Sequence, residues 1–162
     1  MPLEIQRVHA AVHYVIEKTD PSKLGYVKLN RILWYSDLEH YRWHGVSITG
    51  LQQYTRTPQG PMSNDISRAV RHLIREGKVA ERLVNVFDYT RREMICLKQP
   101  DISVFTVEQR GILHKVIDII APLTANQLTQ ISHDDPLWKE LENNDAMSVA
   151  TGSVITRPPT SK

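Results

Sequence analysis

The sequence predicts a single α+β domain that is predominantly helical, with a small antiparallel hairpin inserted between helices. Two observations support this fold class. Apolar residues recur at helical spacing in several long segments, and one central segment is instead rich in β-forming residues. The chain has 162 residues, of which 41% are hydrophobic, so it is long enough to bury one sizeable core.

Four main helices are predicted from the apolar periodicity and from the residues at their ends. The first ends at Asp20-Pro21, and the second ends at Gly45, because glycine accepts the left-handed conformation that follows a helix. Ser63 or Asn64 can cap the third helix, and Thr106 can cap the fourth. The predicted spans are about residues 3–19, 26–44, 63–76 and 107–120.

The β structure is expected between Val79 and Leu97. The polar run from Thr90 to Glu93 divides this segment, which predicts an antiparallel hairpin. The chain between Leu51 and Thr57 is a candidate third strand of the same sheet, and the sequence TPQGP, residues 57–61, predicts a turn after it.

Short helices are predicted near the C-terminal end. One begins at Thr124 or Ala125 and reaches about residue 131, and another runs from Pro136 to about residue 142 behind an Asp135 cap. From Ala146 onward the sequence has no periodicity and ends in prolines and small polar residues. We therefore expect a domain at residues 1–145 and a flexible C-terminal tail at residues 146–162.

Composition limits the partners and the compartment. The net charge is +2, from 20 basic and 18 acidic residues, so bulk electrostatics do not predict a nucleic-acid or membrane partner. The sequence has no signal-peptide pattern and no apolar stretch near the ~20 residues of a membrane span. A single cysteine, Cys96, excludes an internal disulfide. We expect a cytoplasmic protein with no membrane partner.

The predicted second helix, KLNRILWYSDLEHYRWHG, residues 28–45, has a wide apolar face and is expected to be central and buried. Asp37, His40 and Tyr41 are then expected to satisfy buried polar groups and so to support the fold, with Asp37 and the histidines satisfying one another and nearby backbone. An alternative is that Asp37, His40 and His44 converge on a metal ion in a small metalloenzyme. No further ligand nearby in sequence completes that set, so no metal or other cofactor is predicted.

Arg68, Arg71 and Arg75 recur at three- and four-residue spacing on the predicted third helix, opposite its apolar side. A helix followed by a hairpin resembles the recognition helix and wing of a winged helix-turn-helix protein, which keeps a DNA-binding transcriptional regulator as an alternative. An ordinary solvated basic stripe is the simpler interpretation of the same pattern.

Catalytic signals are weak. Ser132 and His133 precede two aspartates, but consecutive residues cannot form a hydrolytic triad. The sequence QGPMS lacks the lysine and spacing of a phosphate-binding loop. Because no other set of residues forms a coherent catalytic group, we do not expect an enzyme.

The stretch KLNRILWYSDLEHYRWHGVSITGLQQYTRTPQGPM, together with ISHDDPLW, resembles the Panacea, or SocA-like, antitoxin domain over roughly residues 8–142. Arg31, Trp34 and Ser36 depart from the family pattern, which makes this helix bulkier. The residues that carry the likeness are Lys28, Leu29, Leu33, Tyr35, Asp37, His40, Tyr41, Gly45, Ile48, Thr49, Gly50, Gly60, Pro61, Ser132, His133 and Trp138.

The resemblance implies an antitoxin encoded beside a toxin, often on a prophage or other mobile element. Such a protein neutralises its cognate toxin by direct contact, or acts as an adaptor that delivers the toxin to a protease. Aromatic and arginine side chains are enriched at the energetic centres of protein interfaces. We therefore expect the partner-binding residues to be Trp43, His44, Arg68, Arg71 and Arg75, and DNA binding stays open.

Overall fold

The computed structural model describes residues 2–150 and confirms a predominantly helical α+β fold. Two short 3-10 turns, Pro21–Lys23 and Ile102–Val104, accompany the main elements. The helices and strands, in chain order, are α1 (Leu3–Lys18), α2 (Tyr26–His44), β1 (Gln53–Thr57), β2 (Gly60–Met62), α3 (Asn64–Arg75), β3 (Val79–Val86), β4 (Tyr89–Cys96), α4 (Val107–Ile120), α5 (Ala125–Asp134), α6 (Pro136–Glu140) and β5 (Ala146–Ser148).

The helix ends follow the predicted caps. Ser63 caps α3 by accepting a hydrogen bond from the Asp65 amide. Thr106 and Thr124 each form a capping box at the start of α4 and α5, which satisfies two amide groups that the helix itself leaves unpaired. Gly45 ends α2 in the left-handed region, at φ 71°. Local side-chain chemistry therefore fixes where these helices begin and end.

The core is built around α2, as predicted. This helix packs mainly against α4 and also contacts α1 and β2, and α3 packs on α1. Its side chains Leu29, Ile32 and Leu33 have no exposed surface, and Trp34 is 1% exposed. The Trp34 ring packs edge-on against the Tyr54 ring, with the ring centres 5.1 Å apart. The aromatic content of α2 thus serves mostly the interior.

The strands form two separate antiparallel sheets, which corrects one prediction. β3 pairs only with β4, whereas β1 lies between β2 and β5 in a second sheet, among the strands of residues 2–150. The expectation that residues 51–57 join the hairpin sheet is wrong. The hairpin turn was also misplaced, because the two-residue turn lies at Phe87 and Asp88, and residues 90–93 belong to β4.

The predicted tail begins too early. Ala146–Ser148 form β5, in which Met147 pairs with Tyr54 of β1. Met147 is 1% exposed and Val149 is 5% exposed, so this segment belongs to the core. The expectation of a flexible chain is therefore wrong for residues 146–149, and residues 151–162 of that prediction lie outside the described residues. None of the helices within residues 2–150 is long and apolar enough to cross a membrane.

Candidate functional site

Asp37, in the middle of α2, holds the segment that follows the helix. Its carboxylate accepts hydrogen bonds from the Thr49 amide at 3.0 Å, the Thr49 hydroxyl at 2.6 Å and the Tyr54 hydroxyl at 2.8 Å. Asp37 has no exposed surface, and Tyr54 is 1% exposed. The prediction that Asp37 satisfies buried polar groups is thus confirmed, but these partners are Thr49 and Tyr54 and not the histidines.

Burial sets the protonation of this cluster. Removal from water raises the pKa of Asp37 to about 6, and the hydrogen bonds from Thr49 and Tyr54 oppose that rise. The pKa of Tyr54 lies well above its ordinary value, first because of burial and second because of the neighbouring Asp37 charge. The cluster therefore holds a carboxyl group that changes charge close to neutral pH.

His40 lies on the same helix but has other partners. Its Nδ1 lies 2.6 Å from the Val46 carbonyl oxygen, and its Nε2 lies 3.3 Å from the Gln109 side-chain nitrogen. Burial is the main cause of its lowered pKa. A neutral ring that donates from Nδ1 to Val46 and accepts from Gln109 at Nε2 fits both contacts. His40 therefore fastens the end of α2 to the start of α4.

His44 stacks on His40 at 4.5 Å, and its Nε2 lies 3.0 Å from the Glu108 carboxylate. Residues 2–150 contain no group of three or more His, Cys, Asp or Glu side chains placed to hold a metal ion. Asp37 is turned toward Thr49 and Tyr54. The two histidines therefore contact each other, but Asp37 is engaged elsewhere and the three residues do not form one ligand set.

A second buried cluster surrounds Arg31, which is 3% exposed. Its Nη1 donates to the Ser132 hydroxyl at 2.9 Å, and its Nη2 donates to the Gln59 carbonyl at 3.4 Å. The guanidinium lies directly against Gly60, where a Cβ would come within 2.8 Å of Nη2. Glycine is required there because the backbone also adopts φ +119°. Arg31 thus joins α2 to the β1–β2 turn and to α5.

Other residues of the family likeness make comparable long-range contacts. Lys28 donates to the Ala121 carbonyl at the end of α4, at 2.7 Å. Trp138 is buried under the Arg56 guanidinium, 4.1 Å from its ring centre, and its carbonyl accepts from Arg56 Nε. Pro61 is buried in β2, Tyr41 is half-buried, and His133 is exposed.

The five residues predicted to bind a partner are all exposed. Trp43 is 65% exposed under the Arg42 guanidinium, and Arg68 forms an exposed ion pair with Asp65. The structure does not place these residues side by side, because α3 packs on α1 while His44 lies beside Glu108 of α4.

Two shallow clefts lie between the arginines of α3 and the end of α2, where Trp43 and His44 are. One includes Arg68, and the other includes Gly45 at the end of α2. Both clefts are lined by Glu4, Gly50 and Leu51. Of the five predicted residues, Arg68 lines one of these clefts. We call the surface from the exposed side of α3 across the start of α1 to the end of α2 the α1–α3 face.

The sequence interpretation missed the apolar tip of the β3–β4 hairpin. Phe87 is fully exposed at the turn, and Leu83 and Tyr89 are 68% and 57% exposed. Leu83 and Tyr89 lie on opposite faces of the hairpin, because Tyr89 pairs with Val86 and side chains alternate along a strand. Exposed large apolar side chains at a hairpin tip are a candidate interaction site. The signal was present in the sequence, because Phe87-Asp88 separates two alternating strands, but the hairpin was interpreted only as a possible wing.

The winged-helix likeness is confirmed in element order and not in geometry. A helix-turn-helix joins its two helices by a turn of about 3–4 residues. Here residues 45–63, which include β1 and β2, separate α2 from α3. The arginines of the hairpin are also neutralised, since Arg82 and Arg91 pair with Glu93 and Arg92 pairs with Glu81. These contacts do not favour phosphate binding by the hairpin.

The fold and these contacts define a small α+β domain in which polar side chains of one buried helix fasten the segments around it. A family model described as antitoxin SocA-like, Panacea domain, matches residues 29–139. The chain belongs to this SocA-like antitoxin family, which confirms the resemblance carried by the motif residues. No curated protein and no solved structure matches the chain.

Proposed function

We propose that this protein is an antitoxin that binds a cognate toxin directly and neutralises it, without turning over a substrate. The observation that carries the proposal is the match to an antitoxin family over residues 29–139. The exposed arginine and aromatic side chains support a protein partner, since these residue types are enriched at the energetic centres of interfaces. The proposed site of action is the cytoplasm.

The α1–α3 face is the proposed toxin-binding surface. Arg71 and Arg75 are exposed on α3, and Trp43 is exposed at the other border of the face. Leu3 and Ile5 at the start of α1 are 69% and 45% exposed and add apolar area between them. An apolar centre flanked by arginines is the composition expected of a protein interface.

Co-expression tests this proposal directly. The product of the neighbouring reading frame is induced in a bacterial host with and without the protein, and growth is measured. We expect the wild-type protein to restore growth. Failure to rescue the toxicity of any neighbouring gene product would overturn the antitoxin assignment.

Charge reversal tests the surface. Arg71→Glu with Arg75→Glu should leave the fold intact, because solvated helix positions usually change stability by less than about 0.5 kcal/mol. Loss of interface arginines often costs about 2 kcal/mol or more, so toxin affinity should fall by roughly 30-fold and rescue should weaken. The matched control is Lys98→Glu with Lys139→Glu, which makes the same change of charge at two exposed residues away from the face.

The hairpin tip provides the competing surface. Phe87→Ser with Leu83→Ser removes two exposed apolar side chains without touching α3. Full rescue by this double variant, together with loss of rescue by the α3 double variant, supports the α1–α3 face. The reverse pattern would move the toxin-binding surface to the hairpin.

Direct neutralisation and delivery to a protease can be separated in the same system. If the protein inhibits by contact, rescue persists in hosts that lack single ATP-dependent proteases, and the toxin level stays constant. An adaptor that recruits a protease or its unfoldase requires that enzyme, and the toxin level falls when the protein is expressed. We propose direct inhibition, because the exposed arginine and aromatic side chains are of the types that provide most of the binding energy in protein interfaces.

A further inference from the structure

A cavity of about 560 Å³ lies where the start of α2, the β1–β2 turn and the start of α5 meet. Its walls include Lys28 and Arg31 from α2 and Gln59 from the turn. No aspartate or glutamate lines it among the described residues. The cavity is thus bordered by two cationic side chains without a carboxylate.

The hydrogen bonds of Arg31 go to neutral groups, and the buried Asp135 carboxylate lies near enough to act on the neighbouring Tyr35. The Nη atoms of Arg31 donate to the neutral Ser132 hydroxyl and Gln59 carbonyl. Arg31 also hydrogen-bonds the Tyr35 side chain, and its Nε is fully buried with no partner within residues 2–150. The neighbouring Tyr35 does not supply negative charge at neutral pH, because burial raises the pKa of its hydroxyl to about 12. A buried cation of this kind is costly unless an anion approaches it.

Lys28 adds a second cation at the same wall. Its ammonium group is half-buried and donates to the Ala121 carbonyl. Burial and the nearby Lys23 lower the pKa of Lys28, and burial lowers the pKa of Arg31. Both shifts have the sign expected for positive charges that lack a counter-ion.

The start of α2 contributes backbone donors to the same cavity. Gly25 precedes the helix and offers no side chain to accept from its first amides. Gly25, Tyr26 and Val27 all line the cavity. The first amides of a helix have no acceptor within the helix and favour negative charge.

The remaining walls are mostly apolar, with hydroxyl groups from Thr124 and Thr129. The apolar side chains are Leu24 before α2, Val27 in its first turn, Pro58 in the β1–β2 turn, and Leu123 and Leu128 around α5. A cavity of this size and composition suits a small molecule with an apolar part, since ligand pockets are mostly apolar with a few placed polar groups.

We propose that this cavity binds a small molecule that carries an oxyanion, a carboxylate or a phosphate, on a compact apolar group. The oxyanion lies toward Lys28, Arg31 and the first amides of α2, and the apolar group contacts Leu24, Leu123 and Leu128. The cavity is separate from the α1–α3 face, so this inference does not depend on the antitoxin proposal.

Phenyl phosphate is the test probe, with inorganic phosphate and neutral benzyl alcohol as comparisons, and binding to the purified full chain is followed by titration in NMR spectra. We expect phenyl phosphate to bind at least about tenfold more tightly than either comparison, with the largest shifts at cavity residues. Equal binding of phenyl phosphate and benzyl alcohol, no binding of phenyl phosphate, or shifts confined to another surface would each overturn the proposal.

Ala125→Glu supplies the decisive variant. Ala125 is exposed at the first position of α5 and lines the cavity, and a glutamate there is favoured by the helix dipole, so the variant should fold. Its carboxylate should take the place of the ligand oxyanion and lower the affinity for phenyl phosphate by about tenfold or more. Ala125→Gln, of the same size and without charge, is the matched control and should retain binding.

A second pair of variants tests the cations. Lys28→Gln should weaken phenyl phosphate binding with little effect on benzyl alcohol, whereas Lys23→Gln, at an exposed residue outside the cavity, should weaken it less. If Ala125→Glu and Ala125→Gln bind phenyl phosphate equally, or if Lys28→Gln binds it as the wild type does, the site is not an oxyanion site.

Discussion

Asp37 shows how a single residue can join two parts of the chain. Its carboxylate takes three hydrogen bonds from Thr49 and Tyr54, which lie 12 and 17 residues later in the chain. Removing the side chain leaves the two hydroxyls and one amide without their acceptor in a dry environment. A buried donor that loses its partner costs about 1–3 kcal/mol.

We therefore predict that Asp37→Ala lowers the free energy of unfolding at neutral pH by roughly 1–3 kcal/mol. Asp37→Asn should cost less, because its amide oxygen can accept from the Thr49 amide while its NH₂ group donates to the two hydroxyls. Urea unfolding of the three proteins measures both effects. If Asp37→Ala kept the wild-type stability and abolished toxin rescue, Asp37 would be a binding residue and not a structural one.

Gly60 and Gly111 form a contrasting pair of glycines. Gly60 combines φ +119° with a close approach to the Arg31 guanidinium, whereas Gly111 lies in α4 with open space where a Cβ would be. Gly60→Ala should lower the free energy of unfolding by about 2 kcal/mol or more, because strained backbone costs about 1–3 kcal/mol before the contact with Arg31 is counted.

Gly111→Ala should instead raise the free energy of unfolding by about 0.5–1 kcal/mol, since alanine is the better helix former at an unhindered position. Thermal and urea unfolding of both variants check the pair. Equal effects of the two substitutions would show that the Gly60–Arg31 contact does not constrain the fold.

At the scale of elements, the sheet that contains β5 was the main feature the sequence did not predict. β5 has only three residues, and its partner β1 lies about 90 residues earlier in the chain. A three-residue strand has no periodicity of its own, so its pairing depends on the rest of the fold. The side chain that identifies it as core is Met147.

Met147→Ala should lower the free energy of unfolding by about 2–5 kcal/mol, which is the usual cost of truncating a buried side chain of this size. The matched control is Ala146→Ser at the exposed neighbouring position, which should change stability by less than about 0.5 kcal/mol. Unfolding measurements that show no difference between the two variants would mean that β5 does not contribute to the core.

The helices were predictable because their signals are local. Thr106, Thr124 and Asp135 act as caps in the structure as the sequence indicated. The site was predictable only in part. The position of Asp37 on a buried helix face was visible in the sequence, but its partners Thr49 and Tyr54 are fixed by the fold of the segment after α2. The contact of Arg31 with Ser132, 101 residues away, had no local signal.

At the scale of the whole molecule, the family likeness marks the scaffold. Lys28, Asp37 and Trp138 are engaged in contacts that join distant segments. The residues proposed to bind a toxin, such as Trp43 and Arg71, lie outside that set and are exposed. Members of one family can therefore share this interior and differ in the surface that a toxin contacts, so the family match alone does not identify the toxin.

The dependence of stability on pH is also a property of the whole molecule, because its buried groups act in opposite directions. Burial lowers the pKa of His9, His13 and His40. The folded state therefore binds protons at these histidines less readily than the unfolded state does. The free energy of unfolding is for this reason higher above about pH 6.5, where the histidines are neutral in both states, and it decreases as the pH falls below that value. Asp37 has the opposite sign, because its pKa is raised to about 6.

For Asp37 the folded state binds the proton more tightly than the unfolded state, in which the pKa is near 3.9. Its contribution to stability is therefore greatest below about pH 4 and is lost as the pH rises through about 6. The histidines and the surface carboxylates are common to the wild type and Asp37→Asn, so their effects cancel when the two proteins are compared.

We predict that the wild type gains stability relative to Asp37→Asn as the pH falls from 7 to 4. A difference of about two pKa units corresponds to roughly 2–3 kcal/mol. Urea unfolding of both proteins at pH 7, 5.5 and 4 measures this change. A difference between the two proteins that stayed constant across the range would show that Asp37 titrates like an exposed carboxylate, and its hydrogen bonds would then balance the cost of its burial.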